Sequence, residues 1–182
     1  MLFGRAFVAS VAALATFVSA DAGQTKGARR LITREPSAPV IAQLQQATAR
    51  VTDLYDYFRT PPLPYPDNAN ANSEVSARLD AIAAALVPAQ QALEADQEPF
   101  PQDSLSDVAE NLQRFYTAFR HMLPILLWYA SVPVKPAGSS IDPAMFNLGN
   151  QFNAFSEQLL PRLGKYRARA QESLDDLKGN KS

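Results

Sequence analysis

The side chains able to do chemistry are few and scattered. His121 is the one histidine, and a serine–histidine pair for acyl transfer could be written with any of several serines, but no nucleophile-elbow sequence surrounds them. Arg120 beside it marks a polar helix edge, so His121 reads as a surface or capping residue. Paired carboxylates, the usual means of general acid–base work, occur at Glu94 and Asp96 and at Asp175 and Asp176. Both pairs fall in helix tails or loops with no neighbour that would push one pKa above the other. The absence of cysteine removes disulfides, thiolate metal sites and thiol nucleophiles, and a lone histidine cannot build a multi-histidine metal centre. The 7 glycines form no phosphate-cradling loop. The expectation is a noncatalytic protein with no cofactor and no metal.

Charge then limits what such a protein could bind. Over 182 residues, 17 Lys and Arg stand against 18 Asp and Glu, so the strong positive field that attracts polyphosphate is missing and nucleic acid is not an expected partner. The charges are unevenly spread: Val51 to Glu110 carries eleven acids and two bases, whereas Asn111 to Ser182 carries nine bases and five acids. Arg162, Lys165 and Arg169 recur on one helical face, where they could pair with Asp80, Glu94 or Asp107, or steer anionic headgroups.

The elements that would position any site start behind an address. Arg5 precedes an apolar run from Ala6 to Val18, and Val18-Ser19-Ala20 places compact side chains before Asp21, the pattern of a secretory signal peptide cleaved after Ala20. No later stretch reaches the roughly 20 apolar residues of a transmembrane helix. The expected location is secreted and extracellular. Gly23, Gly27, Pro36 and the dibasic Arg29-Arg30 suggest a flexible arm, or a propeptide if a protease cuts after Arg30. The expected organisation is a signal peptide over 1–20, arm or propeptide over 21–38, helical domain over 39–178 and polar tail over 179–182, with a formal glycosylation sequon at Asn180-Lys181-Ser182.

Within the domain, apolar residues recur at three-and-four spacing. Val40, Leu44, Ala47, Val51, Leu54 and Phe58 share one face of a first helix opened by Ser37 or Pro39. Pro61, Pro62, Pro64 and Pro66 end it. A second helix starts near Asn72 or Ser73 and carries Val75, Leu79, Ile82, Leu86, Ala89 and Leu93; a third starts at Asp103 or Ser104, where Ser104 and Asp107 resemble a capping box. Its stripe is Leu105, Val108, Leu112, Phe115, Phe119, Met122 and Leu126. A fourth, with Asp142 as N-cap and Pro143 in its first turn, runs through Phe146, Phe152, Phe155, Leu159, Leu163 and Tyr166 to Leu177 and stops at Gly179. No segment alternates with period two. The predicted fold is all-α: an antiparallel bundle of four amphipathic helices, or five if one is divided, several of them kinked at proline.

Pro88, Pro124 and Pro161 fall inside these registers, so each either bends its helix and splays one end of the bundle or ends the helix outright. The stretch Met122 to Val134 is apolar on every side. Buried, its Trp128 is a core anchor; exposed, it belongs to a patch that takes lipid, an apolar surface or a partner helix. A candidate apolar pocket comprises Leu112, Phe115, Phe119, Met122, Leu126, Trp128, Phe152, Phe155 and Leu159.

The signal-like start, the Arg29-Arg30 site, the lack of cysteine and alanine-containing helices over Leu31 to Leu177 together resemble the fungal hydrophobic-surface-binding protein A and cell-wall galactomannoprotein family, through stretches such as Val40-Ile41-Ala42-Gln43-Leu44 and Asp107-Val108-Ala109-Glu110-Asn111-Leu112. The 14 prolines depart from that pattern. The resemblance implies a secreted or wall-associated helical protein that adsorbs to hydrophobic surfaces or holds a fatty acid or similar lipid in a central cavity, with no catalytic residues to carry over. The alternative is a secreted effector that captures a host protein through a helical face.

Overall fold

Five α-helices account for most of the computed structural model, whose described residues are 37–61, 65–132, 141–177 and Gly179. They are α1 Ser37–Tyr57, α2 Ala69–Ala95, α3 Leu105–Ser131, α4 Asp142–Leu159 and α5 Arg167–Leu177, with no strand among the described residues. Ala20, Arg30, the signal-like segment, most of the arm and the sequon lie outside the described residues.

Each helix buries most of the stripe its spacing predicts. On α1, Val40, Leu44, Ala47, Val51 and Leu54 have no accessible surface, while the intervening polar residues face outward. α2 starts at Ala69, earlier than the apolar pattern suggests, because Asn68 caps it: the Asn68 side-chain oxygen accepts from the Asn70 and Ala71 amides at 2.9 and 3.3 Å. The buried Asn72 then donates to the Pro66 carbonyl at 2.8 Å, tying the α1–α2 connection to the helix. At α3 no capping box closes, since the Ser104 hydroxyl donates back to the Pro101 carbonyl at 3.1 Å. α4 starts at Asp142 with Ile141, not Asp142, at the cap position.

The three interior prolines part ways. α2 continues through Pro88 and α3 through Pro124. At Pro161 the α-helix gives way to two 3-10 turns, Leu160–Arg162 and Gly164–Tyr166, so the long fourth stretch is two helices. Gly164 lies in the left-handed region at φ 51°, which makes it the articulation between them. Gly179, at φ 71°, follows the end of α5 where a helix stop is expected.

α1 packs on α2 and α3, α2 also packs on α4, and α5 packs on α3. Polar contacts between α2 and α4 advance together, Asp80 with Asn147, Gln90 with Gln151 and Glu94 with Gln158, so these neighbours run in the same direction. α1 and α3 do likewise: Gln45 and Thr48 share a shallow groove with Asn111, and the Phe58 ring meets Tyr129 at 5.2 Å. α3 and α4 oppose each other, since Tyr116 reaches Ser156 while Phe119 stacks on Phe152. One apolar core joins all five helices.

Candidate functional site

The nine residues predicted to form an apolar pocket divide in the structure. Leu112, Phe115, Met122, Leu126, Phe155 and Leu159 are buried to 2% exposure or less, Phe152 is buried, and Phe119 packs against the core from its edge. The rings fill the α3–α4 seam with one another: Phe152 lies 5.8 Å from Phe115, 5.6 Å from Tyr116 and 5.5 Å from Phe119. Ser156 donates to the Phe152 carbonyl at 2.8 Å, so its oxygen is left to accept from the Tyr116 hydroxyl at 3.4 Å. Burial pushes the Tyr116 hydroxyl up to about 12.

Trp128 is the exception, at 57% exposure. The stretch from Met122 onward divides by face: Met122, Leu126 and Tyr129 go inward, while Leu127 at 53% and Trp128 face solvent. On α3 the line through Glu110, Arg114, Thr117 and His121 is exposed and polar, and it continues through the exposed Pro124 to Trp128. Phe146, on the apolar stripe in the sequence reading, is 73% exposed instead. Its six-residue offset from Phe152 turns it well away from the buried side of α4. Tyr65 completes the set of exposed large apolar side chains among the described residues.

These four share one end of the bundle. Tyr129, buried under Phe58, brings its hydroxyl within 3.5 Å of the Tyr65 carbonyl. From the Phe119–Phe152 stack, α3 climbs about 12 Å to Leu127 while α4, running the other way, covers about 9 Å to Phe146. The hydrophobic end is therefore the one that carries the α1–α2 connection, the close of α3 and the start of α4. Charges at this end include Asp56, Asp67, Asp80 and Asp142 against Arg59, with Arg78 held to Glu74 at 3.8 Å and stacked 4.6 Å over the Tyr57 ring.

The predicted basic strip does not act as one. Arg162 turns onto the C-terminus of α2, donating to the Leu93 and Asp96 carbonyls, Lys165 lies over its neighbour Tyr166, and Asp80 and Glu94 accept from Asn147 and Gln158. Binding to the last carbonyls of α2 satisfies acceptors that helix geometry leaves open. His121 lines a shallow groove with Thr52, Tyr55 and Ala118. No cluster of metal-ligating side chains and no helix long and apolar enough to cross a membrane occurs among the described residues.

Tyr65 and Phe146 are the site residues that sequence reasoning missed. For Phe146 the signal was its angular offset from the Phe152 line; for Tyr65, inside a proline-rich joint, periodicity offers none. Comparison of the chain with family models, curated proteins and solved structures finds no match.

Proposed function

We propose that the protein is a secreted, noncatalytic binder that adsorbs to hydrophobic or lipid-covered surfaces, those of a cell wall included, through the end of the bundle bearing Tyr65, Leu127, Trp128 and Phe146. The observation that carries this reading is the exposure of Trp128 and Phe146 beside a core in which comparable side chains are buried. Covering four half-exposed side chains contributes about 5 kcal/mol before the costs of association. That corresponds to reversible adhesion, comparable with a single acyl anchor. A basic cluster is absent among the described residues at this end, which favours an uncharged or zwitterionic surface over an anionic one. The filled α3–α4 seam favours surface contact over a permanently enclosed ligand.

The test compares the wild-type chain with a Trp128→Ala/Phe146→Ala variant for adsorption to phosphatidylcholine vesicles and to paraffin. The expected result is a loss of tenfold or more on both, with salt having little effect. Equal adsorption by the variant would remove the bundle end as the site, and capture of a protein by an intact but non-adsorbing chain would favour the effector reading.

A further inference from the structure

We propose that the recess between α3 and the start of α5 is a second binding site, separate from the adsorbing end, that takes a small organic carboxylate with a ring-sized apolar body. α3 and α5 advance together: Gly164 lies beside Leu105, Ser173 donates to Gln113 at 3.0 Å, and Arg120 meets Asp176 at 3.5 Å. The first two contacts close the ends of the recess, which follows α3 from Ser106 to Gln113, about 10 Å of helix. Between them the facing residues Ala109 and Ala170 supply too little bulk to fill the interface, and a space of about 160 Å³ remains. That is close to the ~150 Å³ of an apolar cavity known to hold benzene. Its lining is largely carbon, with Leu112 and Ala170 buried and Ala109 and the Tyr166 ring half-buried.

The rim supplies one unspent charge. Of the three bases in the predicted strip, Arg162 is taken by α2 carbonyls and Lys165 lies over Tyr166. Arg169 lines the recess, and its guanidinium pairs with no acid among the described residues. Glu110, the acid in the lining, is held at 2.6 Å by Arg114, so its charge is already answered within α3. A free guanidinium above an apolar floor matches a ligand that is anionic at one end and apolar at the other, and the planar fork of arginine suits a carboxylate in particular. A neutral hydrocarbon leaves the guanidinium unused, an inorganic anion leaves the floor wet, and a long acyl chain exceeds the volume. The recess lies on the early turns of α3, and Trp128 follows Gln113 by fifteen residues, about 22 Å of helix.

Benzoate is the probe, titrated into the full chain and followed through backbone amide shifts by NMR. Saturable shifts are expected at Ala109, Gln113 and Ala170. Arg169→Gln should weaken binding at least tenfold while leaving the fold intact, because that side chain is exposed. Benzyl alcohol, which keeps the ring without the charge, and acetate, which keeps the charge without the ring, should each bind at least tenfold more weakly than benzoate. Ala109→Met, which fills the recess, should abolish binding in a chain that circular dichroism shows to be helical. Absence of saturable shifts in the wild type, shifts scattered away from the recess, equal binding by Arg169→Gln, or equal binding of benzyl alcohol overturns the site. Trp128→Ala/Phe146→Ala should bind benzoate as the wild type does, so the loss of this site and the loss of bundle-end adsorption are read separately.

Discussion

Tyr116 and Tyr129 are the side chains whose burial has the most direct consequence in solution. The Tyr129 hydroxyl is pushed up to about 12, first by burial and then by the neighbouring Tyr57 and Asp67, and that of Tyr116 to a similar value. Both groups ionise later in the folded chain than in the unfolded one, where tyrosine titrates near its ordinary value of about 10. Their contribution to stability is therefore full below pH about 10 and is lost as pH rises toward about 12. Alkaline denaturation followed by circular dichroism should show this loss, and Tyr116→Phe should flatten the decline. Phe155 and Trp128 give the complementary contrast. Phe155 has no accessible surface, so Phe155→Ala should cost about 3 to 5 kcal/mol in urea unfolding. Trp128→Ala should cost less than about 1 kcal/mol, because much of that side chain already faces water.

Among elements, α3 is the most informative. Its inward stripe was legible from Leu105 to Leu126 because three-and-four spacing leaves one solution. Which way Leu127 and Trp128 turn was not, since a segment apolar all round carries no phase, and only the packing of Tyr129 under Phe58 fixes it. Caps were harder still. Asn68 lies before a run of alanine and asparagine with little moment, so the start of α2 depends on a hydrogen bond that hydropathy does not record. Asn68→Ala should destabilise the fold by about 1 kcal/mol, measured by thermal or urea unfolding, and an unchanged midpoint would show that the cap does not hold α2. Pro161 ended its helix while Pro88 and Pro124 did not, a difference that spacing alone does not encode.

For the whole molecule, the all-α bundle followed from periodicity, whereas the neighbour relations did not: α1 beside α3 and α2 beside α4 come from how the stripes interlock. The opposed charges of the two halves suggested ion pairs, yet the described pairs across helices reduce to Arg120 with Asp176, and Arg162 serves backbone carbonyls. Association through the bundle end should accordingly be insensitive to ionic strength between low and physiological salt, as vesicle sedimentation would reveal. The most direct measurement uses the protein's only tryptophan, which is Trp128 itself. Titrated with phosphatidylcholine vesicles, its emission should shift to shorter wavelength and become shielded from an aqueous quencher; emission and quenching that stay unchanged while the chain is folded and adsorbed would contradict the account.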